Sequence, residues 1–210
     1  MRQTEKSTRV YFIRHGKTDF PMDRIYCDQR EDPTLSKIGL SQIANMAKLL
    51  ANESIDVLFA SPAARTMQTA KALAEPKKLQ ILPSEALRER PFGIWDGLYF
   101  HEIETDYPEE YLAWKTDPVH YTPNGGETIE QLYQRIQKEI NRIIDENLGK
   151  SIAIVSHVGP IRLAITAAFD IPIDQYRQLR IDYASCSRVD YGKTRNNLIY
   201  SNKYYEFNML

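Results

Sequence analysis

The chain has 210 residues, 42% of them hydrophobic and 26% charged, the proportions of a globular protein able to bury a core. A formal net charge of −1 excludes a broadly basic, polyanion-binding surface, so nucleic acid is not the expected partner. The opening residues MRQTEKSTRV lack the apolar stretch of a secretory leader, and no apolar run approaches the ~18 residues that span a bilayer, so a cytoplasmic protein away from membranes is expected.

In chain order, Val10 to Ile13 is a β-branched and aromatic run that predicts a strand, ending in Arg14-His15-Gly16. Ser36 to Ala51 predicts a helix whose buried face is Leu40, Ile43, Ala44, Ala47 and Leu50. Asp56 to Ala60 predicts a second strand. Ser61-Pro62 then reads as a helix start, with the serine as capping hydroxyl and the proline in the first helical position. Gln80 to Leu82 is a weaker third strand. Residues 98–124, rich in aromatics, acids and proline, break the rhythm and predict a helical insertion lying as a lid over one end of the sheet.

Trp95 and Trp114 are expected to pack, with Trp114 a candidate for lining that lid, and His101 and His120 to sit at the surface. Thr128 to Gln131 fits a capping box, followed by the stripe Ile129, Leu132, Ile136, Ile140 and Ile143, with Gly149 as its end. Ile152 to Val155 is the clearest strand, and Pro160 to Phe169 the next helix. Ser185 to Phe207 predicts two strands around residues 192–197. The only cysteines, Cys27 and Cys186, form no C-x-x-C pair and read as two unrelated reduced thiols. Continuous apolar strands between amphipathic helices predict an α/β fold with a largely parallel sheet, in one domain over residues 1–210.

Ligands of open α/β sheets bind beyond the carboxyl ends of the strands. Arg14 and His15 follow the first strand, Arg65 the second, Glu89 the third, and His157 the IAIV strand. Two guanidinia, two imidazoles and a carboxyl suit phosphoryl transfer. Guanidinia bind phosphate oxygens bidentately and oppose protonation of a nearby imidazole, which is nucleophilic only when neutral. A covalent phosphohistidine splits the displacement in two, and a carboxyl supplies the leaving alkoxide's proton. No metal-type histidine spacing and no Gly-rich phosphate loop is present, so fixed cations are expected to do the electrostatic work, without a cofactor.

The ordered series RHGKT, DPTLSKIGLSQ, SPAARTMQTA, LRERPFGIWDG, PNGGET and SHVG, from Tyr11 to Arg162, resembles the histidine phosphatase superfamily, the phosphoglycerate-mutase-like enzymes. The resemblance implies a three-layer α/β/α sandwich and no metal or organic cofactor. It makes His15 the phosphorylated nucleophile, with Arg14 and Arg65 binding the phosphoryl group and His157 a further donor to its oxygens. Glu89 becomes the acid of the first step and the base of the second. Thr18, at the family's hydroxyl position, and Arg90 are candidate substrate contacts. On this view Gly16 lets the chain turn tightly beside the nucleophile.

The departures from the family pattern carry information. Where many members have a phosphate-touching Asn this chain has Pro21, leaving Lys17 or the region of Arg24 to supply that donor. Phe92 stands where mutases carry a Tyr, and their paired lid arginines have no counterpart between Trp114 and Pro123. A phosphatase of a small phosphorylated metabolite, of the kind found among the smaller bacterial members, is therefore expected ahead of a phosphoglycerate-type mutase. A non-catalytic phospho-ligand binding module is the third reading, and it is disfavoured by the intact set of five residues. Nothing in the sequence specifies the ester or the oligomeric state.

Overall fold

The computed structural model describes residues 7–25 and 30–204. Cys27 and the end of the tail strand expected to reach Phe207 lie outside them. Six strands form one sheet in the order β3-β2-β4-β1-β5-β6. They are β1 (Thr8–Arg14), β2 (Val57–Ala60), β3 (Ile81–Pro83), β4 (Ser151–Ser156), β5 (Cys186–Tyr191) and β6 (Asn197–Lys203). The first four run parallel, β1 pairing Arg9 to Ser151 through Arg14 to Ser156. Antiparallel β5 follows on β1 and β6 follows on β5, so the sheet is mixed at that edge.

Strand alternation sorts the apolar runs onto two faces. Val10, Phe12, Ile152 and Ile154 pack with the stripe of α5 (Ile129–Asp145) and with α6 (Val158–Ala168). Tyr11, Ile13, Leu58, Ala153 and Val155 pack instead against α1 (Lys37–Leu49) and α2 (Ala64–Lys77). Covered on both sides, β4 is buried at every residue, which is why its sequence shows no polar alternation. The result is the expected three-layer α/β/α sandwich. Among the described residues no helix is long and apolar enough to cross a membrane.

Several local expectations change. The buried side of α1 is Ile43, Asn45 and Met46, with Leu50 just beyond its end, while Leu40 and Ala44 face outward. That rotation brings Gly39 against the chain after β1. A Cβ on Gly16 would lie 2.8 Å from the Gly39 carbonyl oxygen, and one on Gly39 would lie 2.0 Å from that of Lys17. Gly16 is thus required by backbone-to-backbone approach, and it is absent from the glycines with positive φ.

The capping box of α5 is present as read. The expected serine cap of α2 is not. This helix starts at Ala64 with Ala63 as its cap, and its first N–H is taken by the Asp32 carboxylate at 2.9 and 3.0 Å.

The insertion holds two short helices, α3 (Phe100–Asp106) and α4 (Pro108–Thr116). Its own small core forms around Ile25, Trp95 and Ile103, with the Trp114 ring edge-on to Trp95 at 6.0 Å, so both tryptophans pack as expected and Trp114 stays off the cavity wall. His101 and His120 are exposed. Phe92 bridges Gly126 to close the base of the insertion.

Candidate active site

Every strand end that carries a candidate residue opens on the same side. The His15 N–H bonds the Ser156 carbonyl at 3.1 Å and the Ser61 N–H bonds that of Val155 at 2.9 Å, which locks the three loops after β1, β2 and β4 together. They floor a cavity of about 280 Å³ whose wall includes Arg14, His15, Arg65, Glu89, Arg90 and His157. Thr18 is not in that wall. It is buried in a bridge with Leu35, and Lys17 is likewise outside, whereas Arg24 does line the cavity.

His15 is 3% exposed and its Nδ1 lies 2.8 Å from the Gly16 carbonyl oxygen. A carbonyl only accepts, so Nδ1 carries the hydrogen and the Nε2 lone pair is free for chemistry. Burial first, then the Arg65 and Arg14 guanidinia, hold this imidazole well below its usual 6.5. His157 is held low by burial, then by Arg65, His15 and Arg14, with the two rings 5.3 Å apart and edge-on. Both imidazoles are neutral at pH 7.

The second histidine is bonded at both nitrogens. An Arg65 N–H donates to its Nδ1 at 3.0 Å, so its Nε2–H donates to Ser61 Oγ at 2.8 Å. This is where the serine read as a helix cap is engaged instead. Arg65, second residue of α2, is 1% exposed, with Asp32 3.7 Å from its guanidinium. Thr69, one turn on, bonds the Arg65 carbonyl and accepts the Gly16 N–H at 3.2 Å, tying the loop of His15 to the arginine's helix.

Arg14 donates to the Ile181 carbonyl at 2.7 Å and lies 3.8 Å over the Tyr183 ring, which also flanks His15 at 5.6 Å. Among the described residues Glu89 is held by main chain: the Arg90 N–H at 2.9 Å and the Gly159 N–H, in the first turn of α6, at 3.2 Å. A Cβ on Gly159 would lie 2.4 Å from a Glu89 oxygen, so that glycine makes room for the carboxylate. Arg90, though in the wall, is committed to the carbonyls of Tyr121 and Glu127 and thereby anchors the insertion. Among the described residues no three His, Cys, Asp or Glu side chains converge as metal ligands would.

Sequence reasoning missed Ser61, Asp32, Gly159, Tyr183, Arg162 and Arg177. The first three lie inside or beside motifs whose other members were singled out. Arg162 lies in α6, in the helix predicted over Pro160 to Phe169, whose apolar pattern does not single it out, and Tyr183 and Arg177 come from the segment after α6, which carries no periodic signal.

A strand-end cavity that joins a neutral, hydrogen-bond-oriented imidazole to two guanidinia and a carboxyl defines a phosphoryl-transfer type of site. The profile of the histidine phosphatase superfamily (branch 1) matches residues 10–203. Phosphoserine phosphatase 1 of Hydrogenobacter thermophilus is 27% identical over 91% of this chain and 90% of its own length. A bifunctional protein of Mycobacterium tuberculosis is 32% identical over 88% of this chain, which spans 50% of that relative. The crystal structure of the α-ribazole phosphatase from Shigella flexneri superposes with a TM-score of 0.86 at 28% identity, covering 93% of this chain and 96% of that one. The chain belongs to the histidine phosphatase superfamily.

Proposed function

We propose that the chain is a phosphomonoesterase that hydrolyses a small phosphorylated metabolite through a phosphohistidine on His15. The observation that carries this reading is the His15 Nδ1 to Gly16 carbonyl bond beside Arg14 and Arg65, which leaves a neutral, aimed Nε2 in a cationic pocket. In the first step Nε2 attacks phosphorus, the ester P–O bond breaks, and the alkoxide takes a proton from Glu89. In the second, water attacks phosphorus and gives a proton to the Glu89 carboxylate, the P–N bond breaks, and imidazole is restored.

Arg14 and Arg65 neutralise the phosphoryl oxygens throughout. His157 donates to an oxygen once the Arg65 N–H that now bonds its Nδ1 turns to the phosphoryl group and Nδ1 takes the hydrogen, a tautomer that Ser61 allows because a hydroxyl can donate to Nε2 as readily as it accepts. Thr18 and Arg90 act behind this layer, the first in the fold of the nucleophile loop and the second in holding the insertion. We take residues 1–210 as one domain with 98–124 as its insertion. Relatives named for phosphoserine and α-ribazole phosphate support a small ester as substrate rather than nucleic acid.

The test is phosphate release from a panel of phosphomonoesters in EDTA, comparing wild type with His15→Ala. The expected result is metal-independent release by wild type, reduced on the order of 10⁴-fold or more in the variant, with an acid-labile phosphoenzyme trapped only in wild type. Equal release by the two proteins would exclude His15 as nucleophile.

A further inference from the structure

The cavity extends beyond the phosphoryl end into a half that the proposed chemistry does not use. Its wall there includes Arg162 and Arg177, with Phe92, Phe100 and Val158 as apolar neighbours. Arg162 lies one turn into α6, where its Nε donates to the Leu179 carbonyl at 2.7 Å. Arg177 lies in the 3-10 turn Ile173–Gln178, where its Nε donates to the Tyr176 hydroxyl at 3.0 Å and its guanidinium sits 5.6 Å over the Trp114 ring of the insertion. Among the described residues neither forms a salt bridge. The other cation of this half, Arg24, is paired with Glu31 at 2.7 Å.

The wall is richer in cations than in anions. Arg14 and Arg65, the latter with Asp32 at 3.7 Å, face the phosphoryl group, and among the described residues Glu89 is the only carboxylate in the wall, with Arg90 and Arg162 both near it. Arg162 and Arg177 remain, on two different elements, facing one small space. Arg162 is also disfavoured as a cation by its burial and then, among other neighbours, by the nearby Arg14. With a neutral alcohol half the half-buried Arg162 would meet no anion besides Glu89, and Arg177 would be left to solvent.

Resting on the phosphatase reading, we propose that the substrate is a phosphate monoester whose alcohol half carries a second anionic group, a carboxylate or a second phosphate, received by Arg162 and Arg177. A guanidinium offers that group a planar fork, and about 280 Å³ accommodates a short acid rather than a nucleotide-sized alcohol.

Matched pairs test this. The ratio of kcat/KM is measured for 3-phosphoglycerate against glycerol 1-phosphate, and for fructose 1,6-bisphosphate against fructose 6-phosphate, with p-nitrophenyl phosphate as the common reference. The expected result is a preference of ~30-fold or more for the anionic member of at least one pair, weakening with salt, consistent with charge-assisted hydrogen bonds. Which pair shows it tells carboxylate from phosphate. Arg177→Gln, an exposed substitution that leaves the core alone, and Arg162→Gln are each expected to cut that ratio at least fivefold, mainly through KM of the anionic member.

Equal kcat/KM within both pairs, with turnover still dependent on His15, would overturn the second-anion assignment and leave the phosphatase reading standing. An anionic preference untouched by either variant would move the subsite elsewhere and overturn the role of these two arginines. No turnover of any ester, p-nitrophenyl phosphate included, would remove the phosphatase reading and this assignment with it.

Discussion

The two ends of the cavity are built by different means. At the phosphoryl end the side chains stand on strand termini and helix starts, and each is tied down: His15 to Gly16, Arg65 to His157, His157 to Ser61, Glu89 to two main-chain N–H groups. At the other end Arg177 and Phe100 come from a 3-10 turn and from a lid helix, and both are exposed. Pre-organisation is spent where charge moves, since donors that need no rearrangement stabilise a transition state best. In the proposed subsite Arg177 and Phe100 stand on segments free to differ without disturbing the sheet, whereas Arg162 is carried by the core helix α6.

The sharpest way to break this contrast is at the contact between Glu89 and Gly159. Gly159→Ala places a methyl group 2.4 Å from a Glu89 oxygen, and the flexible carboxylate moves while the helix stays. An ångström-scale misplacement of an acid costs about 10²-fold in kcat. The loss should be larger for alkyl phosphates than for p-nitrophenyl phosphate, whose leaving group needs little protonation. An equal loss on both esters would show that the carboxyl is not the proton donor.

A milder perturbation is Ser61→Ala, which strips His157 Nε2 of its partner. A drop in kcat of about tenfold is expected, with a stability loss of about 1–2 kcal/mol for the buried unsatisfied donor, read from denaturant unfolding. Ser61→Thr, which keeps the hydroxyl, should restore most of kcat if it folds. Loss of stability with unchanged kcat would make the serine purely structural.

A third test reads acid stability and leaves the chemistry aside. His15 and His157 stay neutral in the fold well below 6.5, whereas in the unfolded chain they take up protons near 6.5. Below that pH the unfolded state binds more protons, so native stability falls as the pH drops from about 7 toward the depressed folded values. His15→Asn removes one such group. Its melting temperature relative to wild type should therefore rise as the pH is lowered from 7 to 5, by up to about 1.4 kcal/mol per pH unit in stability. A constant difference across that range would mean that the folded imidazole titrates normally.

The sheet was legible because its strands are buried on both faces and so read as unbroken apolar runs. That Arg14, His15, Arg65, Glu89 and His157 gather around one cavity was legible because strand ends mark where ligands bind. Ser61-Pro62 misled because the same hydroxyl that caps helices also serves an imidazole, and only the β4 loop alongside decides between them. The face of α1 was misjudged because Gly39 and Asn45 occupy buried positions that a hydrophobic count gives to Leu40 and Ala44. Gly16 was singled out correctly for the wrong reason. Arg162 and Arg177 were not singled out, since an arginine within a helix or a turn looks the same in sequence whether it faces water or a substrate.

The contact between Gly16 and Gly39 sets the clearance of the whole machine. Two bare stretches of main chain touch there, directly behind the loop that carries His15. No rotamer change can absorb an added atom on Gly39, because the obstacle at 2.0 Å is a carbonyl oxygen of the loop itself. The first helix is thus a shim behind the histidine. Its seating against the sheet, governed by Ile43, Met46 and Leu50 far from any substrate, is translated directly into the reach of Nε2.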